Sequence, residues 1–184
     1  MTRRWEPVLE EVARDRWPRL LARAALLVPT RADAEDLVQD ALVATFASRA
    51  RLTTAAEAEQ YVRRAIVTRS VDRARTAAAE RRALERSAAR PVPDVELVPE
   101  GLERDVVAAL HALSPRQRAC VVLRHLEDLS VAETADLLGI GAGAVKRYTS
   151  EGATRLQARL GAAADGEGSG VRVELVQGEE ARRD

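Results

Sequence analysis

The sequence predicts an all-α protein of two small helical domains joined by a proline-containing linker. Three observations carry this. The chain has 184 residues, 46% hydrophobic and 32% charged, and is dominated by Ala, Leu, Arg and Glu, all good helix formers. Apolar residues recur at helical spacing in successive segments, several of them opened by Ser or Thr followed three residues later by Glu or Gln. Residues 87–101 hold Pro91, Pro93, Pro99 and Gly101, too many breakers for a helix, so this stretch reads as the linker. The domains are then 1–86 and 102–161, and the Gly-, Ala- and charge-rich residues 162–184 read as a flexible tail.

Met1 to Pro7 is a lead-in. Val8 to Val28 is helical, with Val12, Leu20, Leu21, Ala24 and Leu27 at apolar positions and an interruption at Trp17-Pro18, where proline removes a donor and crowds the preceding turn. Thr30 with Asp33 caps a helix over 32–47 that buries Ala34, Leu37, Val38, Ala41, Leu42, Thr45 and Phe46. Its other face shows Asp33, Asp36, Gln39 and Asp40, which on their own read as a solvated face offsetting the helix macrodipole. Residues 49–56 are a polar connection. A Thr54–Glu57 capping box opens a long helix from about Ala55 towards Ser87, with Tyr61, Val62, Ala65, Ile66 and Val71 as its apolar surface.

Arg63, Arg64, Arg69, Arg73 and Arg75 crowd the rest of that helix. Residues 61–90 carry nine Arg against Asp72, Glu80 and Glu85, an excess that favours a phosphate-facing stripe over a self-balanced helix surface. The formal net charge of zero hides this, because residues 162–184 carry six acids against three arginines.

Leu102 to Leu113 is helical, with Val106, Val107, Leu110 and Leu113 inside. Ser114-Pro115 with Gln117 starts another helix, to about Leu126, burying Ala119, Cys120, Val122 and Leu123. Leu129 to Leu156 reads as two helices meeting at a tight corner. Ser130 and Glu133 form a capping box, Val131, Ala135 and Leu138 make an apolar stripe, and Gly139 ends the helix because glycine enters the left-handed conformation without a Cβ penalty. Ile140 plugs the corner, and the second helix starts near Ala142 with Val145, Tyr148 and Leu156 on its inner face. This is the helix-turn-helix arrangement, whose second helix enters the DNA major groove; a plain helical hairpin is the alternative. Ala142 and Gly143 would let its N-terminus approach DNA closely, and Lys146 and Arg147 are the first long side chains after it. Val171 to Val176 alternates like a strand but has no partner strand.

Nothing in the sequence asks for an enzyme, a cofactor or a metal. There is no Gly-rich phosphate loop, nucleophile elbow or HExxH; His111 and His125 lack ligand spacing; Cys120 is the single cysteine and sits among apolar neighbours. Glu35-Asp36 and Glu127-Asp128 lie at helix starts or corners, where capping explains them. No apolar run approaches the ~18 residues that span a bilayer, and no secretory signal opens the chain.

Taken together, the segments resemble bacterial RNA polymerase sigma factors of the small extracytoplasmic-function type, over roughly residues 8–161, and most of all an actinobacterial subgroup of them. DAEDLVQDAL, residues 33–42, is similar to the family's polymerase-clamp helix; YVRRAIVTRSVDRART, residues 61–76, to its −10 helix; and Leu113 to Leu160 to its −35-binding domain. The resemblance implies that Asp36, Gln39 and Asp40 bind the polymerase, against the solvated-face reading. It implies −10 contacts by Tyr61, Arg63, Arg64, Thr68, Arg69 and Arg73, and −35 contacts by Ala142, Gly143, Lys146, Arg147, Ser150 and Arg155. Tyr148 and Glu151 replace arginines usual in relatives; Tyr148 is expected to pack inside, and Glu151 would meet phosphates unfavourably if it faced DNA. A loop over Arg49 to Glu57 is the candidate pocket for an extruded base. The implied partners are RNA polymerase core (its clamp and flap regions), promoter DNA and, as a further candidate, an anti-sigma factor; the implied location is cytoplasmic. Two rival readings are a stand-alone helix-turn-helix regulator, which would dimerise, and a sigma-like protein acting only through protein contacts.

Overall fold

A computed structural model describes residues 6–47, 52–83 and 97–166. Most of the linker, the tail beyond residue 166, part of the proposed base-pocket loop and the 171–176 strand lie outside these residues. Eight helices and no strand occur among the described residues: α1 Glu6–Asp15, α2 Trp17–Ala25, α3 Arg31–Ala47, α4 Ala55–Ala83, α5 Arg104–His111, α6 Pro115–His125, α7 Val131–Leu138 and α8 Ala142–Gly166. The single helix expected over 8–28 is two. Arg16 serves as N-cap of α2, with Pro18 in its first turn, where a missing amide donor costs nothing.

The caps form as the sequence requires. Asp33 N–H donates to Thr30 Oγ1 at 3.1 Å. Glu57 N–H donates to Thr54 Oγ1 at 3.2 Å, and the Glu57 carboxylate accepts from Thr54 N–H at 3.3 Å. Ser114–Gln117 and Ser130–Glu133 are complete capping boxes. Gly139 ends α7 at φ 62°, ψ 39°.

The helices share cores across the chain. Leu9, Val12, Leu20, Leu37, Val38, Ala41, Val62, Ile66 and Val67 from α1–α4 form one cluster with Ala119, Val122 and Leu123 of α6 and with Leu129. Leu26, just past α2, is buried in a second cluster with Val107, Leu110, Leu113, Val121 and Leu156. Cys120, Ala135 and Val145 hold the helix-turn-helix corner, with Val131, Leu138, Ile140 and Tyr148 packed around them.

Polar side chains join the two halves where α2 ends. The buried Arg118 guanidinium donates to Leu27 O, to His111 O at 2.9 Å and to Leu113 O at 3.1 Å. His111 Nε2 lies 2.8 Å from Ala25 O and donates to it in the neutral tautomer that fits this contact. These donors satisfy carbonyls that helix ends otherwise leave orphaned. Burial pulls the Arg118 pKa down to about 10 and lowers that of His111, the latter opposed by the bond to Ala25.

Two outcomes follow. A Cβ built on Gly152 would lie 2.7 Å from Val121 Cγ2, where α6 and α8 cross, and a β-branched neighbour buried in a core has little room to yield. Gly152→Ala should therefore destabilise the fold by about 1–3 kcal/mol in urea unfolding, despite the better helix propensity of alanine. The lowered pKa of His111 means that the unfolded chain binds more protons as pH falls below the ordinary imidazole value of 6.5, so stability should decline through that range. His125 is shifted the same way, chiefly by burial. His111→Gln, which keeps a donor without titrating, should flatten part of the decline; an unchanged pH slope of the urea midpoint would exclude the effect.

Candidate nucleic-acid interface

Three surfaces collect the site residues expected from sequence. The first is the N-terminal half of α8. Ala142, Gly143, Lys146, Arg147 and Ser150 are exposed. Backbone amides of Ala144 and Val145 return to Gly141 O, so the helix starts cleanly with its first amides outward. Arg147 stacks over the Tyr148 ring, 5.0 Å from its centroid. Tyr148 is half-buried against the corner core, and Arg116 and Arg147 beside its hydroxyl hold its pKa below the ordinary phenol value. Tyr148 thus faces inward as expected, with its polar end wet.

Glu151 and Arg155 look back at α6. Gln117 Nε2 donates to Glu151 Oε2 at 2.8 Å, and Arg155 Nη1 donates to Gln117 Oε1 at 3.2 Å. Glu151 is therefore held by the amide that also completes the α6 capping box, with Arg147 at 3.9 Å as a weak ion-pair partner. The periodicity of α8 could not show this, because Gln117 lies 34 residues away.

The second surface is α4. Tyr61 and Arg69 are exposed, Tyr61 at 42%, unlike the inner position its spacing suggested. Thr68 Oγ1 donates to Ala65 O of its own helix at 3.0 Å. Arg63 Nε lies 3.3 Å from Glu127 Oε1, and Arg64 Nε is buried without a hydrogen-bond partner. Arg73 donates to Asp40 at 2.6 Å, so a residue expected on DNA and one expected on the polymerase meet.

The third surface is the outer face of α3, where Asp36, Gln39 and Asp40 are exposed. Val43, one turn beyond Gln39 and Asp40, is 67% exposed, the most exposed large apolar residue described. It was missing from the sequence-based set because a lone apolar residue on a polar face carries no periodic signal. Glu127, read from sequence as a corner residue explained by capping, is instead buried with its Oε1 2.8 Å from Arg23 Nε as well as beside Arg63, a placement that depends on packing between distant segments. Among the described residues no cluster of His, Cys, Asp or Glu could hold a metal, and no helix is long and apolar enough to cross a membrane.

Residues 103–156 match the family description "Sigma-70, region 4". The chain is 36% identical to the RNA polymerase sigma-E factor of Streptomyces avermitilis over 161 residues, covering 82% of this chain and 84% of that one. It is also 36% identical to the RNA polymerase sigma-E factor of Streptomyces coelicolor over 153 residues, with 82% and 85% covered. The sigma factor RpoE of Bartonella quintana, solved in complex with the anti-sigma factor NepR, shares the fold at a TM-score of 0.56 and 23% identity, covering 85% of this chain and 94% of that one. The sequence relatives, with the region 4 match over the helix-turn-helix corner, thus place the chain in a class of transcription-initiation factors. The chain belongs to the RNA polymerase sigma factors, the subunits that direct promoter recognition.

The geometry separates exposed side chains from packed ones in α8. Lys146→Ala and Arg147→Ala should leave the melting temperature unchanged and relax the sequence selected at −35, by about 1–3 kcal/mol of discrimination per lost base contact. Tyr148→Ala should instead lower the melting temperature. A stable Tyr148→Ala protein with an altered −35 preference would show α8 to be rotated from this register.

Proposed function

We propose that the three surfaces divide the work of promoter recognition. Residues 1–86 form the unit that meets polymerase and the −10 element, 87–101 link it onward, 102–161 form the −35 unit, whose α8 continues to Gly166, and the residues after it are a tail. Asp36, Gln39 and Asp40 bind the polymerase clamp, and Val43 supplies an apolar anchor within their polar ring, the usual makeup of a binding hot spot. Tyr61, Arg63, Arg64, Thr68, Arg69 and Arg73 meet −10 DNA. Ala142, Gly143, Lys146, Arg147 and Ser150 meet −35 DNA, the small residues allowing close approach and Lys146 and Arg147 reaching base edges, while Arg155, bonded to Gln117, flanks that surface. Because the polymerase holds both units on one promoter, the second contact is effectively intramolecular and each can be weak alone.

The observation that carries this reading is the coexistence of an exposed recognition helix with a separate exposed acid–amide–valine face on α3. A stand-alone helix-turn-helix regulator has no use for the second. The same reading makes the chain a cytoplasmic protein that works beside polymerase without chemistry of its own. An anti-sigma partner, as in the complex of the Bartonella factor, is a further candidate.

Run-off transcription with core polymerase tests the whole reading: transcripts should depend on added protein. Asp36→Arg with Asp40→Arg should abolish capture of core with helical circular dichroism unchanged. Val43→Asp should weaken it about tenfold or more, a loss typical of a central anchor. Undiminished capture by both variants would remove α3 from the polymerase interface.

A further inference from the structure

Arg147, the long side chain nearest the corner after Lys146, is not left to wander. Its guanidinium lies over the Tyr148 ring, 5.0 Å from the centroid, and beside the Tyr148 hydroxyl. Its Nε is 3.9 Å from Glu151 Oε1, one turn further along α8. An arginine followed four residues later by a glutamate is the weaker order for such a pair, because the acid then lies toward the negative end of the helix. Exposed pairs also contribute little when two long side chains must both be ordered to form them.

Here one of the two is already ordered. Gln117 Nε2 donates to Glu151 Oε2 at 2.8 Å, leaving Oε1 turned to Arg147. Gln117 is itself buried, 4% exposed, and held through Oε1, which accepts from Ser114 N–H at 3.2 Å and from Arg155 Nη1 at 3.2 Å. The close crossing of α6 and α8 at Gly152 keeps the two helices at the distance these bonds need. One amide thus ties the start of α6 to the rim of the recognition surface, and the ordering of Glu151 is complete before Arg147 meets it.

We propose that Glu151 sets the specificity of −35 recognition in this chain: anchored by Gln117, its carboxylate holds Arg147 so that the guanidinium is presented to a guanine. The proposal rests on the reading of α8 as the −35 helix. Arginine recognises guanine by placing two N–H groups on O6 and N7 in one plane. A guanidinium held in place beforehand loses less freedom on contact than one that must be captured from many rotamers. It carries more N–H donors than a carboxylate and one hydroxyl can occupy, so donors remain for the base. Glu151 touches no base; it is a positioning residue that acts through Arg147. Its charge has a second effect of a different kind, since a carboxylate near the phosphates weakens binding whatever the sequence. The positioning raises discrimination at one base pair, whereas the charge lowers affinity for every promoter.

The test uses holoenzyme assembled from core polymerase and the full chain, with sequences selected from promoters randomised at −35. Glu151→Gln keeps an oxygen for Gln117 Nε2 and removes the charge. It should lower the preference for the selected guanine by about two- to fivefold, the worth of one exposed pair, while promoters lacking that guanine bind equally well or more tightly. Gln117→Glu keeps the capping box of α6 and turns the donor to Glu151 into a second carboxylate, so it should lower the same preference. The base pair affected should be the one that Arg147→Ala relaxes, and in an Arg147→Ala background Glu151→Gln should change no preference at all. A uniform change in affinity with the preference intact, or a loss of preference that persists without Arg147, would overturn the proposal. If Gln117→Glu fails to fold, Glu151→Gln alone decides. Arg147→Ala separates this proposal from the reading beneath it. If it relaxes a base pair that Glu151→Gln leaves intact, only the positioning role falls; if it relaxes none, Arg147 reads no base and both fall.

Discussion

One buried guanidinium holds the two halves of this molecule in register. Arg118 reaches from α6 to the carbonyl of Leu27 beyond α2 and to two carbonyls, of His111 and Leu113, at the end of α5. No smaller or less forked donor could reach three acceptors from one stem. Burial brings its pKa to about 10, yet at neutral pH the group is still fully protonated, so its donors are always present. Replacing it with an apolar residue would orphan three carbonyls rather than one, which is the more costly side of hydrogen-bond energetics.

The charge of the molecule follows a similar logic. A chain of net zero charge makes a nucleic-acid surface by placing its charges unequally. α4 gathers arginines, and the acids that offset them come partly from the helix itself, Asp72 onto Arg75, and partly from elsewhere, Asp40 from α3 onto Arg73 and Glu127 from the α6–α7 corner onto Arg63. The Arg73–Asp40 pair is largely exposed and contributes little to stability, so either partner can be released to a ligand at small cost. The Glu127 contacts are buried and costly to break singly, since a lone buried charge would remain.

Much of this was legible in the sequence because the determinants are local. The capping boxes at Thr54, Ser114 and Ser130 need residues three apart, and Gly139 needs only its own backbone angle, so these starts and the end of α7 could be placed to within a residue or two, whereas α8 runs on to Gly166 through residues read as tail. The inward side of each helix was readable from apolar spacing. Tyr61 was not, because an amphipathic ring satisfies the same pattern whether it packs or waits for a ligand. The contacts of Arg118, Glu127 and Glu151 were illegible for a different reason: each joins residues brought together only by helix packing, and no spacing rule reaches across 34 or 91 positions. The acids of α3 lie between these cases. Their exposure was predictable, but the use proposed for them rests on the family resemblance, because a solvated face and a binding face follow the same pattern of charges in sequence.

The burial of the lone cysteine carries a consequence for its chemistry. Cys120 is enclosed with Ala135 and Val145 behind the helix-turn-helix corner, and burial pushes its thiol pKa up to about 11. A sulfur that is protonated and out of reach is a poor nucleophile towards peroxide or disulfide. Oxidation at this position would moreover require the corner to come apart, destroying the recognition helix rather than tuning it. The sulfur therefore serves the corner as a packing atom, shielded from redox chemistry.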